Sequence, residues 1–169
     1  EYLSALKNIY AIFIGHIDGK FNSNNTRFFL LNQCFMEMKS ILNHLGCRSS
    51  TADLSCGFGD FCLTALSDLS RNRTLGLMIG KKLFTTEILT KSPVVFEGIR
   101  TLKILKETLR TEVINTLPIL KNLVAFFITQ EAQNLSYDFN EFVNRKTATV
   151  ITYGTFDLIN YAQLDFLKR

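Results

Sequence analysis

Lys7 is the first residue whose type and setting suggest chemistry. It follows Leu6 directly in the run Ala5-Leu6-Lys7-Asn8, so it lies beside an apolar helical stripe. An ammonium held there can polarise a carbonyl and donate a proton to a developing alkoxide. The same lysine can instead lay its stem on apolar surface and keep its head in water. Asp60 and Thr64 stand one helical turn apart after Cys56-Gly57-Phe58-Gly59, so a carboxylate and a hydroxyl can share one site. The plain alternative is a helix cap and a surface threonine. A third group is Ser70-Arg71-Asn72-Arg73-Thr74-Leu75-Gly76 at an expected helix start. Free amides, the helix dipole and a guanidinium suit a phosphate there, although such a charge pair can also be merely solvated. Glu97-Gly98, within Val94 to Gly98, marks a place where another element or a ligand comes close.

These residues need helices to hold them, and the apolar spacing supplies helices almost to the end of the chain. Leu3, Leu6, Tyr10, Phe13, Ile14 and Ile17 read as a one-sided helix closed by Asp18-Gly19-Lys20. A second helix is expected from Thr26 to Leu45, with Gly46 as its stop. Ser49 to Thr51 caps a short helix, Asp60 caps Phe61 to Leu66, and Ser70 caps a helix ending at Gly80. Ser92-Pro93 opens a helix from about Val94 to Leu109, and Leu117-Pro118 opens another carrying Ile119, Leu123, Val124 and Phe127. Beyond Gln130 the chain turns polar. Ala148 to Tyr153 then reads as a strand, and Leu158 to Leu167 as a helix. The expected fold is mainly α over residues 1–129, with a linker over 130–147 and the strand-helix opening of an α/β unit over 148–169.

Composition narrows the function. At 169 residues and 47% hydrophobic content the chain can bury one sizeable core. A net charge of +4 suits a small anionic substrate and does not call for nucleic acid. No apolar run reaches the roughly 18 residues of a membrane span. Cys34, Cys47, Cys56 and Cys62 form no Cys-x-x-Cys pair, and with only His16 and His44 they assemble no familiar zinc site. They read as reduced buried thiols of a cytoplasmic protein. Residue 1 is glutamate at the start of a helical pattern, and the chain stops inside an amphipathic stretch, so both ends read as cut.

Taken in order, Glu1 to Asp18 (EYLSALKNIYAIFIGHID), Gly57 to Gly76 (GFGDFCLTALSDLSRNRTLG) and Val95 to Leu102 (VFEGIRTL) resemble the substrate domain of NAD(P)-dependent glycerol-3-phosphate dehydrogenase. The resemblance runs to about Phe127. It implies an oxidoreductase of glycerophospholipid and carbohydrate metabolism that interconverts dihydroxyacetone phosphate and sn-glycerol 3-phosphate with NAD or NADP. On that resemblance Lys7 is the general acid/base and Asp60 holds it charged and oriented. Asn8 and Thr64 contact the substrate, Arg71 and Asn72 bind its phosphate, and Arg71 and Glu97 lie near the cofactor. No metal is implied.

The family's N-terminal Rossmann domain, with its glycine-rich loop and a second active-site lysine, is not in these 169 residues. The chain alone is therefore expected to bind NAD(P) poorly and to be inactive. Apolar surface left by the missing domain favours self-association, so a homodimer is expected. Thr149 to Arg169 (TVITYGTFDLINYAQLDFLKR) resembles the opening of glycerol-3-phosphate cytidylyltransferase. The family's His-x-Gly-His is replaced there by Asn160-Tyr161-Ala162-Gln163, which argues against cytidylyl transfer. Two other readings stand beside the dehydrogenase. One is a degenerate, non-catalytic helical module that binds phosphate or a partner. The other is part of a bifunctional protein leading to CDP-glycerol.

Overall fold

The computed structural model of the chain describes residues 1–21, 23–85, 95–135 and 137, all within the unit Glu1–Tyr137. Among the described residues there are seven α-helices and no strand: α1 (Tyr2–Lys20), α2 (Asn24–His44), α3 (Asp60–Leu66), α4 (Arg71–Gly80), α5 (Glu97–Thr108), α6 (Thr111–Asn115) and α7 (Pro118–Phe127). A 3-10 turn (Ser49–Asp53) and a wide π turn (Ser55–Gly59) lead into α3. The expected strand at Ala148 to Tyr153, the helix after it, most of the polar linker and Ser92-Pro93 lie outside the described residues. No described helix is long and apolar enough to cross a membrane.

α1 is the axis of the fold. The spacing of its large residues predicts one buried face, yet every residue from Ile9 to Ile17 is buried. The reason is that α2, α3, α4 and α5 all pack against it, so each side of the helix meets a neighbour. The helix also continues through Asp18-Gly19-Lys20 instead of closing there.

Glycine sets the approach of α4 to α1. A Cβ on Gly76 would fall 1.9 Å from the Ile12 carbonyl oxygen, and one on Gly15 2.1 Å from the Arg73 carbonyl oxygen. Gly19 and Gly80 meet in the same way one turn further along. The two helices thus cross backbone to backbone, which only residues without a Cβ permit. As the pairs Gly15 with Arg73 and Gly19 with Gly80 advance together, the helices run the same way. That brings the start of α4 beside the first half of α1.

Polar groups fix the other contacts. Glu37, on α2 and only 4% exposed, accepts hydrogen bonds from the Ile119 and Leu120 amides at 2.8 and 3.0 Å and from the Tyr10 hydroxyl at 2.9 Å. Its carboxylate therefore caps α7, whose first residue is Pro118. Burial, and then the Glu37 charge, push the Tyr10 hydroxyl well above its usual pKa. Asp18 is buried between Arg27 and Arg73, and Arg73 also reaches Asp68.

Several boundaries differ from the sequence reading. α2 starts at Asn24, ahead of the expected Thr26, and Ser23 caps it, its hydroxyl accepting from the Thr26 amide at 3.3 Å. α5 starts at Glu97, with Val95 and Phe96 outside the helix. The short helix α6 carries no sequence signal of comparable strength. The two glycines after Cys56 do not break the chain, because residues 55–59 wind as a π turn that runs on into α3. All four cysteines are free; Cys34 is buried, Cys47 and Cys62 half-buried and Cys56 exposed. Only Cys34 therefore matches a fully buried thiol, and burial raises its pKa.

Candidate functional site

A cleft of about 480 Å³ opens where the N-terminal halves of α1 and α4 meet α3 and the start of α5. Its lining includes Lys7, Asn8, Thr64, Arg71, Asn72 and Glu97. Asp60 completes the group through Lys7.

Lys7 Nζ lies 2.7 Å from both carboxylate oxygens of Asp60. The lysine side chain is 18% exposed and the aspartate 36%. An ammonium has three hydrogens, so two bonds to Asp60 leave one donor for a ligand. Asp60 does not cap α3; Gly59 holds the cap position, and the aspartate side chain turns to the lysine. A partly exposed pair of this kind adds only about 0–1 kcal/mol to stability, so its main effect is to fix the position of Nζ. Thr64 donates its hydroxyl hydrogen to the Asp60 carbonyl oxygen at 2.9 Å, and its oxygen keeps acceptor capacity on the cleft wall.

The two asparagines are coupled. Asn72 Nδ2 donates to Asn8 Oδ1 at 3.0 Å, and Asn72 Oδ1 accepts from the Gly98 amide at 3.2 Å. Asn8 Nδ2 donates to the Ser4 carbonyl at 3.1 Å. A Cβ on Gly98 would sit 2.6 Å from the Asn8 carbonyl oxygen, which explains the glycine beside Glu97. Asn72 is 3% exposed, with its side-chain amide tied to α1 and α5.

At the other end, Ser70 caps α4 by accepting from the Arg73 amide at 3.3 Å. The Arg71 and Asn72 amides lie in the first turn, where no carbonyl of the helix can reach them. Arg71 Nη2 donates to Glu97 Oε1 at 2.7 Å, with side chains 59% and 46% exposed. The guanidinium has further donors for an anion. The two arginines of Ser-Arg-Asn-Arg thus divide. Arg71 stands at the cleft, whereas Arg73 is buried against Asp18 and reaches out to the exposed Asp68.

Lys7, Asn8, Asp60, Thr64, Arg71, Asn72 and Glu97 are therefore gathered at one place. Sequence reasoning missed Ser4, Leu63, Ser67 and Leu69, which also line the cleft. Ser4 had a usable signal, standing one turn before Asn8 on α1; Ser67 and Leu69 lie in the connection after α3, which has no periodicity to read. No group of three metal-ligating side chains occurs among the described residues.

Residues 1–136 match the model of the NAD-dependent glycerol-3-phosphate dehydrogenase C-terminus. The chain belongs to this family. It is 41% identical over 145 residues to glycerol-3-phosphate dehydrogenase [NAD(P)+] of Methanothermobacter thermautotrophicus, covering 86% of this chain and 42% of that protein. It is 38% identical over 101 residues to the Geobacter metallireducens enzyme of the same name, covering 60% and 30%. The chain thus spans less than half the length of these dehydrogenases. A crystal structure of glycerol-3-phosphate dehydrogenase from Coxiella burnetii has the same fold over 86% of this chain and 44% of that one, with a TM-score of 0.67 and 23% identity. The dehydrogenase family uses NAD(P)+, as the names of the relatives state. None of these comparisons supports a cytidylyltransferase domain, and Thr149 to Arg169 lies outside the described residues.

Proposed function

We propose that this domain is the substrate half of a dehydrogenase interconverting dihydroxyacetone phosphate and sn-glycerol 3-phosphate. The observation that carries the reading is that Lys7 and the start of α4 line one cleft. A three-carbon phosphate ester has two ends with different needs, and the cleft offers a different group to each.

At the phosphate end, Arg71 supplies a cation with several donors, and the first-turn amides of α4 add neutral ones. Asn72 acts as a positioning residue: its side chain ties α4 to Asn8 and to the Gly98 amide, which fixes where that helix start lies. At the carbon end, Lys7 gives a proton to the oxygen of the reducing carbonyl and takes it back in the reverse direction. Asp60 keeps the ammonium oriented. Thr64 and the remaining Asn8 hydrogen hold the substrate hydroxyl groups. Rigid placement of both ends supplies the orientation that raises the rate.

The nicotinamide cofactor supplies the hydride when bound. Its fit to this chain is partial. Arg71 suits the anionic part of a dinucleotide and Glu97 accepts from an amide or hydroxyl, both being exposed at the rim. The glycine-rich loop that cradles a pyrophosphate is not in the sequence. These residues would form one wall of the cofactor site. The 169 residues alone should therefore bind the substrate but not turn it over. No role is assigned to Thr149 to Arg169.

NMR titration of the chain with sn-glycerol 3-phosphate tests the reading. The amide signals of Asn8, Thr64 and Asn72 should move together and saturate, and glycerol should leave them unmoved. Shifts confined to either end of the cleft would contradict it.

A further inference from the structure

A second cavity, of about 590 Å³, lies at the far end of α1. His16 and Lys20 line it, nine residues or more beyond Lys7, or roughly 13 Å along the helix. Its chemistry is one-sided. Lys20 and Lys82 stand at its edge, both exposed; among the described residues neither has an ion-pair partner and no carboxylate lines the cavity. The amides of Gln133 and Asn134 add neutral donors. Phe84 and Phe126 form an aromatic wall, with ring centroids 6.1 Å apart.

Two features of this cavity lack a structural explanation. His16 is 5% exposed, and neither ring nitrogen has a well-formed hydrogen bond. Buried polar atoms are ordinarily paired, and leaving one unpaired is destabilising. The Leu135 backbone lies near the ring and offsets only part of the effect of burial. Lys82 has φ of 59°, in the left-handed region. It follows the last turn of α4, where the Lys82 and Leu83 amides bond back to Ile79 and Met78 at 3.0 and 2.8 Å. Glycine is the usual residue at that position, and a lysine there is strained. The strained residue puts a charge at the cavity.

We propose that this cavity is a second binding site, for a small organic anion with an aromatic or other apolar body. Lys20 and Lys82 hold the carboxylate or phosphate head, His16 lies on the floor as a neutral donor or acceptor, and Phe84 and Phe126 cover the body. The site is separate from the Lys7–Arg71 cleft and shares no lining residue with it.

The chain has two histidines, and His44 is exposed at the end of α2, so their ring signals report site and background together. The 169-residue chain is titrated with phenyl phosphate and with benzoate, with benzyl alcohol as the neutral control. Either anion should shift His16 saturably and leave His44 in place; the stronger of the two identifies the head group. Lys20→Gln combined with Lys82→Gly should weaken binding at least tenfold. Lys82→Gly alone should not lower the melting temperature, because glycine relieves the left-handed strain. Arg71→Ala should leave the His16 shift intact. The proposal falls if neither anion moves His16, if benzyl alcohol moves it equally, if the double variant binds as well as the parent, or if Arg71→Ala abolishes the shift.

Discussion

Asn72 and Asn8 are joined side chain to side chain at 3.0 Å, across the glycine-lined contact of α4 with α1. The bond sets the phosphate end of the cleft against the lysine end. Asn72→Leu removes both the donor to Asn8 and the acceptor for the Gly98 amide. It should cost about 1–3 kcal/mol, as the buried Gly98 amide and the half-buried Asn8 side chain lose their bonds. It should also weaken sn-glycerol 3-phosphate binding, because the start of α4 is no longer tied to Asn8 and Gly98. Chemical denaturation and calorimetric titration of the same variant measure the two effects.

Gly76→Ala tests the crossing itself. The new Cβ would meet the Ile12 carbonyl at 1.9 Å, so α1 and α4 must separate. The expected loss is about 3 kcal/mol or more, together with loss of substrate binding. Gly59→Ala is the contrast. Nothing lies within 4 Å of its Cβ position, and its φ is −62°. That variant should be neutral or gain up to about 1 kcal/mol. Thermal unfolding of the pair gives the comparison.

Glu37→Ala leaves the Tyr10 hydroxyl and the Ile119 and Leu120 amides without their acceptor in a buried place. Unfolding free energy should fall by about 3 kcal/mol or more. Hydrogen exchange should quicken first in α7, which loses its cap.

His16 makes stability depend on pH. Burial chiefly, and then the nearby Lys20 charge, lower its pKa from 6.5 to about 4. Lys82 is the other charged group at the cavity among the described residues. The unfolded chain therefore takes up a proton before the folded one does. Stability is full above about pH 6.5, falls as pH drops toward 4, and stops falling on this account below 4. The loss over that window is about 3 kcal/mol. His16→Leu should flatten the dependence between pH 6.5 and 4.5 in urea unfolding, where most carboxylates remain ionised.

Much of this was legible in the residues. The helices around Lys7, Asp60 and Arg71 follow from apolar spacing and from the Ser70 cap, because those signals are local. Gathering the site residues was not legible from spacing alone. It depends on glycines at 15, 19, 76 and 80, whose meaning appears only when two distant helices are laid together. The motif match supplied that order without the geometry. Glu37 was unreadable for the same reason: the helix start it caps is more than eighty residues away, and Tyr10 lies on another helix. Arg73 looked equivalent to Arg71 in the sequence. Two positions along a helix turn a side chain by about 200°, enough to send it to Asp18 and not to the cleft.

The central claim is that Lys7 and Arg71 hold opposite ends of one small molecule. Calorimetric titration of the parent chain, Lys7→Met and Arg71→Ala with sn-glycerol 3-phosphate and with inorganic phosphate tests it most directly. Both variants should weaken sn-glycerol 3-phosphate binding about tenfold or more, whereas inorganic phosphate should be weakened by Arg71→Ala alone. Unchanged sn-glycerol 3-phosphate binding in either variant, with the fold intact, would contradict the account.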